Sequence, residues 1–303
     1  MSNILKTEKE NLLNTLERSL YSELLDDVMD IGSYSDPHLS SEIVSLGLSK
    51  AQIIKEAILK VIENDKKSSN PVFIRAGEEA ISKLAKLIAN PDKKLKIGIT
   101  GVTASGKTTI LETSLKILNK FGIMQDVHYT RLNQDNYYKD TSDLVKKHGG
   151  KSEFINATGF NFDIPDALDL DDLVHDISGD EYFQRNYDKN TCEVCKSSMP
   201  KKLHKYIVVD GLFCLNPKMR DAFNIGIYIQ TSPDKVKRRW YARARNRGNV
   251  GSAADFIFET AMKEANVHIL PNVHYADFVI NGDVPIEEIK AALYEFIEII
   301  REI

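Results

Sequence analysis

Gly101-Val102-Thr103-Ala104-Ser105-Gly106-Lys107-Thr108 fills every fixed position of the pattern G-x-x-x-x-G-K-[ST]. Its surroundings decide how it reads. Before it, Lys96-Ile97-Gly98-Ile99-Thr100 has the composition of a short strand; after it, residues 107–121 read as a helix that Gly122 can end. A strand, a glycine-rich turn and a helix N-terminus in that order curl backbone N–H groups around an anion, and the helix end adds positive potential. Gly101 and Gly106 allow backbone angles and a close approach that a Cβ would obstruct. Lys107 is placed to bridge phosphate oxygens, and the Thr108 hydroxyl to ligate Mg²⁺. Gly101, Thr103, Ala104, Ser105, Gly106, Lys107, Thr108 and Thr109 are therefore the expected nucleotide-binding residues. The rival is a glycine-rich turn with no ligand, which the filled positions and the strand–turn–helix context disfavour. The motif implies a nucleoside triphosphate and is silent on what is done with it.

Downstream of the loop, apolar runs alternate with helical stretches. Residues 128–132 are a strand candidate and 170–177 a helix. Residues 206–209 and 225–229 read as buried strands. Ser232-Pro233 opens a long helix, with Ser232 as N-cap and Pro233 at the first position. Residues 277–280 are a last strand and 285–300 a last helix. Apolar strands alternating with helices predict an α/β fold of the P-loop NTPase type, a parallel sheet covered by helices on both faces. Two carboxylates stand at strand ends. Asp210 closes the run 206–209, where a P-loop protein holds a second magnesium carboxylate; the plainer reading is a strand-end Asp that caps its turn. Asp135 follows the strand candidate 128–132. Strand C-terminal ends line the ligand crevice of open α/β sheets, and a carboxylate there can take the proton of an attacking hydroxyl.

Upstream, residues 1–92 read as a helical N-terminal region with no obvious strand, and residues 93–303 as the P-loop domain. Leu12, Leu16, Leu20, Leu24 and Val28 recur along one helix face. Residues 43–62 repeat the pattern with Ser40 or Ser41 as N-cap, and residues 73–89 read as a third helix stopped by Asn90-Pro91. The leucine stripe fits a bundle core better than a dimerising coiled coil, being short for sustained heptads, although a homo-oligomer stays open. The 303 residues carry 40 Lys+Arg against 44 Asp+Glu, a net charge of −4, which excludes a whole-protein polyanion binder. The sequence has no 18-residue apolar run and no apolar signal core, so no membrane association is expected. Three cysteines do not make a disulfide framework, and a reducing, cytoplasmic setting is the default.

Lys235, Lys237, Arg238, Arg239, Arg243, Arg245 and Arg247 crowd into thirteen residues beside one acid, Asp234. Arg239, Arg243 and Arg247 recur every four residues and share a helix face. Such a cluster suits a polyphosphate. A lid over residues 232–250 that closes on the triphosphate explains it better than a nucleic-acid patch, because the phosphate loop already demands a charge partner. A solvated basic helix is the plainest alternative.

Four separated elements resemble the uridine kinase family, over about residues 95–283. Gln134-Asp135-Asn136-Tyr137-Tyr138-Lys139-Asp140 is similar to its signature after the second strand, and Asn161-Phe162-Asp163-Ile164-Pro165-Asp166-Ala167-Leu168-Asp169 to its N-F-D-x-P-D-A-x-D element. Val209-Asp210-Gly211-Leu212 resembles its strand-end E-G segment with Asp for Glu, and Leu270-Pro271-Asn272-Val273-His274-Tyr275-Ala276-Asp277 its late L-P-x-x-x-Y-A-D element. The wider group includes phosphoribulokinase and type I pantothenate kinase, which Trp240-Tyr241 and residues 266–280 faintly resemble. The resemblance implies ATP- and Mg²⁺-dependent transfer of a phosphoryl group to the primary hydroxyl of a small molecule. It makes Asp135 the general base and a magnesium neighbour, and Asp210 the acidic residue at the magnesium. It places Asp163, Tyr138 and Tyr187 at the acceptor. The lid arginines match Arg239 and Arg247; the one between falls on Ala242, with Arg243 adjacent. Without the resemblance, Asp163 would be one acid of a crowded run with Asp166, Asp169, Asp171, Asp172, Asp176 and Asp180, and such runs are usually solvated.

The pattern also departs from that family. The family's nucleoside-reading His falls on Cys192, its following Arg on Val194, and a Gln expected near Phe256 or Ile257 is absent. Phosphoryl transfer is thus better kept than base reading, and uridine is expected to be a poor substrate. Cys192-Glu193-Val194-Cys195 invites a zinc reading, but with only Cys214 and scattered His left a loop with free thiols is favoured. The expected enzyme is a uridine kinase-like small-molecule kinase. The rivals are a nucleotide-binding protein acting through its helical N-terminus, a nucleic-acid-linked NTPase, and a pantothenate kinase-like enzyme.

Overall fold

The computed structural model describes residues 39–248 and 250–301. Its strands are β1 (Phe73–Ala76), β2 (Leu95–Thr100), β3 (Tyr129–Asn133), β4 (Glu181–Tyr187), β5 (Val194–Lys202), β6 (Tyr206–Asp210), β7 (Ile225–Gln230) and β8 (Phe278–Asn281). Six of them form one sheet in the order β1-β8-β7-β2-β6-β3, and β4 pairs with β5 in a separate hairpin. Every pairing from β8 to β3 is parallel, while β1 lies antiparallel on the β8 edge. The α/β sheet expected from the sequence is present.

The helices are α1 (Leu39–Lys66), α2 (Glu78–Ala89), α3 (Lys107–Lys120), α4 (Ser142–His148), α5 (Lys151–Thr158), α6 (Leu170–Ser178), α7 (Pro233–Asn246), α8 (Gly251–His268) and α9 (Ile286–Arg301). Strand residues alternate between two cores, as parallel strands covered on both faces must. Ile207 and Val209 of β6 pack with Leu173 and Ile177 of α6 and Val236 of α7. Val208 packs with Leu111 and Leu115 of α3 and Ile289 of α9. A third cluster joins Ile54, Ile58 and Ile62 of α1 and Ile81 and Ala85 of α2 to Leu95, Ile225 and Phe278 at one end of the sheet.

One expectation upstream of the loop is overturned. Residues 73–89 are not one helix: Phe73–Ala76 is a strand, and only Glu78–Ala89 is helical. Val72-Phe73-Ile74 carries branched and aromatic side chains that fit a pleated surface, and the free edge of β8 offers the hydrogen bonds. The Asp65 carboxylate accepts from Val72 N–H at 2.9 Å and Phe73 N–H at 2.8 Å, which fixes the entry to β1. Gly77 ends the strand and is the N-cap of α2. Ser232 is a second correction. It occupies the N-cap position of α7 with Pro233 opening the helix, as expected, but its hydroxyl donates to Asp283 Oδ1 at 3.1 Å and makes no capping hydrogen bond. The stripe from Leu12 to Val28 lies outside the described residues. Among the described residues no helix is long and apolar enough to cross a membrane.

Candidate active site

Sheet register assembles the site. In the parallel ladders Asp210 stands opposite both Ile99 and Asn133, so β2, β6 and β3 end level with one another. The loop 101–106 leaves β2 there, Asp135 follows β3 by two residues, and Asp210 is the last residue of β6. These residues are 75 positions apart between Asp135 and Asp210 in sequence, and the strand order makes them neighbours. This is the crevice at the carboxyl ends of the strands where open α/β sheets bind ligands.

The loop has the backbone its glycines allow. Gly101 adopts φ 152°, and a Cβ there would stand 2.6 Å from the Ile229 carbonyl oxygen. Gly106 adopts φ 103° and opens α3; a Cβ there would meet Arg239 Nη1 at 3.2 Å. Ala104 takes the left-handed region at φ 59° and packs against the Trp240–Ala244–Ala254 cluster that holds α7 to α8. Ser105 is fully buried and its hydroxyl has no hydrogen-bond partner. Thr108 and Thr109 are exposed in the first turn of α3. Lys107 Nζ donates back to the carbonyls of Gly101 (2.7 Å) and Val102 (2.9 Å). Desolvation lowers its pKa to about 8, against the opposing charges of Asp135 and Asp210 and with the help of Arg243.

The basic helix splits by face. Arg239 donates to Ser105 O at 3.0 Å and Gly282 O at 3.1 Å, and Arg243 donates to Thr103 Oγ1 at 2.7 Å. Arg243 therefore reaches the loop from the position next to Ala242. Desolvation and the neighbouring Arg247 hold the pKa of Arg243 below its usual value. Arg247 is the C-cap of α7 and is exposed. Lys237, Arg238, Ala242 and Arg245 line the opposite, outer face with Asp234 and Tyr241.

The acceptor side is built from the turn after β3 and from the hairpin. Asn133 Oδ1 caps the Asp135 N–H at 2.8 Å. Gln134 is buried beneath it, accepting from Phe213 N–H at 2.8 Å. The Asp135 carboxylate is 2.6 Å from Lys189 Nζ at the hairpin turn. Asp163 is half-buried, and desolvation followed by the charges of Glu264 and Asp135 raises its pKa. Tyr138 donates to Phe162 O at 3.0 Å, and burial with the nearby Asp135 and Asp163 charges raises its pKa strongly. Tyr187 stacks behind it, ring centroids 5.1 Å apart, with its hydroxyl buried near Cys192. Tyr187 therefore supports the wall through Tyr138, its hydroxyl turned into the protein. The acidic run around Asp163 is more engaged than a solvated face. Arg185, itself buried, pairs with Asp172 and lies 3.9 Å from both Asp169 and Asp176, while Asp166 pairs with Lys218 at 2.7 Å.

The residues present fit a magnesium triphosphate. A positive-φ loop whose glycines leave no room for a Cβ, a lysine and two arginines converge on one spot, with an orphaned buried hydroxyl at Ser105. Thr108, Asp135 and Asp210 offer hard oxygen donors beside it, the kind Mg²⁺ takes with phosphates and water. Asp210 is buried and also paired, its Oδ1 3.1 Å from Arg131 Nε. Sequence reasoning passed over Arg131, whose signal is a lone cation inside the strand run 128–132. It also passed over Lys151 and Glu264. Cys192 is buried at the hairpin turn and Cys195 is exposed on β5.

The sheet order, the phosphate loop and the level carboxylates define the class: a P-loop kinase that acts on small molecules. The chain belongs to the phosphoribulokinase / uridine kinase family, whose model matches residues 96–289, more than half of its length. A uridine kinase of Clostridium botulinum (strain Kyoto / Type A2) is 29% identical over 191 residues, covering 61% of this chain and 86% of that protein. Uridine kinase-like protein 5 of Arabidopsis thaliana is 28% identical over 205 residues, 63% of this chain but 40% of that longer protein. A crystal structure of a gluconokinase from Sinorhizobium meliloti 1021 aligns with a TM-score of 0.38 at 12% identity, covering 69% of this chain and 94% of that one.

Proposed function

We propose that this chain transfers the γ-phosphoryl group of MgATP to a primary hydroxyl of a small acceptor. One observation carries the reading: the Asp135 carboxylate follows β3 at the end of the sheet where the phosphate loop and Asp210 also stand, 2.6 Å from the Lys189 ammonium of the hairpin. A carboxylate at the phosphate end of the site suits a base for an incoming hydroxyl. A protein that only bound nucleotide would use it at most as a magnesium donor.

In this mechanism Lys107 leaves the carbonyls of Gly101 and Val102 and turns its charge to the phosphates. Arg239, Arg243 and Arg247 close with α7 and meet the charge on the transferring group. Asp163 holds a hydroxyl neighbour of the reacting one, and Asp135 accepts the proton of the attacking hydroxyl. Magnesium, when bound, neutralises charge on the phosphates, held by Thr108, Asp135 and Asp210. Residues 93–303 form the catalytic part with residues 232–250 as its lid, in a cytoplasmic setting, and Phe73–Ala76 adds an edge strand to its sheet. Nucleic acid is not the expected partner, since Arg239 and Arg243 are already turned to the phosphate loop.

Asp135→Asn tests the assignment. The amide is nearly isosteric and cannot take a proton, so transfer is expected to fall about 10²–10⁴-fold, far more than MgATP affinity by calorimetry, which loses one magnesium donor. Unchanged transfer would place the base elsewhere.

A further inference from the structure

The β4–β5 hairpin brings to the acceptor side a cation that the phosphate machinery does not use. Resting on the kinase reading above, we propose that Lys189 is a specificity-determining residue that binds an anionic group, carboxylate or phosphate, on the acceptor. The acceptor would then carry a negative charge as well as its reacting hydroxyl.

The argument starts from position. Lys189 Nζ is 2.6 Å from Asp135 Oδ2, the carboxylate assigned to the hydroxyl. The turn that presents it is fixed from several sides. Asp188 accepts from the N–H groups of Asn190 (2.7 Å) and Thr191 (3.2 Å). Cys192, at φ 57°, is fully buried, and its carbonyl accepts from Thr141 N–H at 3.1 Å. Asp140 holds the Val194 N–H at 2.9 Å, and Lys151 Nζ donates to the Lys189 carbonyl at 2.8 Å. The lysine backbone cannot swing away from the site.

The chemistry follows. A hydroxyl that docks on Asp135 competes with Lys189 for the same carboxylate. The displaced ammonium is then free beside the acceptor, where water can solvate it but only an anionic acceptor offers it a charged partner. An anion on the acceptor, held within reach of Nζ, restores the pair. Lys151 adds a second ammonium, 4.2 Å from the Phe162 ring centroid, whose charge is felt at Asp163. With Tyr138 and Phe162 these two lysines make a wall of aromatic rings and cations. A plain surface ion pair is the alternative, since Lys189 is more than half exposed.

The test compares wild type, Lys189→Met and Lys189→Arg in ADP release. The probes are D-glycerate and pantothenate for carboxylates, ribulose 5-phosphate for phosphate, and uridine and adenosine as neutral acceptors. The same compounds are followed by thermal shift in the presence of Mg²⁺ and a non-hydrolysable ATP analogue. At least one anionic probe is expected to stabilise the wild type. Lys189→Met should raise its KM or Kd about tenfold or more, as loss of a charged hydrogen bond does. Lys189→Arg should recover most of the loss, and the neutral probes should show no such rise. The contrast between carboxylate and phosphate probes tells which anion is read. The proposal is overturned if no anionic probe shifts the melting curve, or if Lys189→Met lowers kcat alike for charged and neutral acceptors. Failure of the kinase reading itself would look different: no probe, charged or neutral, would then drive ADP release from the wild type, whatever MgATP does to the melting curve.

Discussion

Arg131 Nε lies 3.1 Å from Asp210 Oδ1, and its Nη2 lies 3.4 Å from Oδ2, so the carboxylate that ends β6 is held from the neighbouring strand β3. The pair is mostly buried. Removing one member leaves the other charge uncompensated. Arg131→Met is expected to lower the free energy of unfolding by roughly 1–3 kcal/mol in a urea titration. It should also increase the thermal stabilisation given by Mg²⁺ without nucleotide, because Asp210 then lacks its competing cation. An unchanged urea midpoint would show that Asp210 is neutralised by another group.

Lys107 gives a pH test. Its charge is lost in the free protein above about pH 8, because desolvation has lowered its pKa. Bound phosphates favour the charged form, so the complex keeps a proton that the free protein has released. Triphosphate affinity is therefore expected to fall by up to about tenfold per pH unit above that value, the slope of a single linked proton. The same shift acts oppositely on folding. Between about pH 8 and 10.5 the unfolded chain binds more protons at Lys107, so its contribution to stability rises through that window. Lys107→Met should remove both dependences, and calorimetry with chemical denaturation from pH 7 to 10 measures them.

The two faces of α7 predict different mutants. Arg239→Ala and Arg243→Ala, on the loop side, should each slow transfer roughly 10²–10³-fold, more than they weaken ATP binding. Arg247→Ala should act in the same sense, through the charge it shares with Arg243. Arg238→Ala and Arg245→Ala, on the outer face, should leave turnover within about threefold, the range of ordinary surface substitutions. Equal losses on both faces, or loss of nucleic-acid retention alone, would contradict the assignment of the lid.

Gly211 follows Asp210, and a Cβ on it would stand 2.3 Å from Cβ and Oε1 of the buried Gln134. Gln134 cannot retreat, since Phe213 N–H is bound to its Oε1. Gly211→Ala is expected to cost about 1–3 kcal/mol of stability through overpacking. It should also lower kcat, because Gln134 adjoins Asp135. Gly211→Ala with Gln134→Gly, which removes both clashing atoms, should recover part of the lost stability. A Gly211→Ala protein of full stability would show that the turn opens freely.

The phosphate loop was legible because its chemistry is local. Eight consecutive residues, Gly101 to Thr108, carry the backbone freedom, the cation and the hydroxyl that one anion needs, and no distant partner has to be known. The strands of the parallel sheet were legible for a related reason: buried on both faces, they write themselves as apolar runs. β1 was not, because a short edge strand carries little pattern of its own and takes its form from β8. Asp135 and Asp210 could be suspected from the elements around them, but residues alone could not say that they share one end of the sheet. That depends on strand order, which puts β3, β6 and β2 side by side with level ends. The choice between Arg239 and Arg243 on one side of α7 and Arg238 and Arg245 on the other was settled by packing, since Trp240 turns one face of the helix to the loop. The pairing of Lys189 with Asp135 lies furthest from sequence reading. The lysine is 54 positions from Asp135, and only a pinned hairpin turn converts that separation into contact. Composition and spacing therefore determined that a single segment is a phosphate loop. Tertiary structure decided which distant charges face each other, because an ion pair depends on distance in space and leaves no periodic trace in sequence.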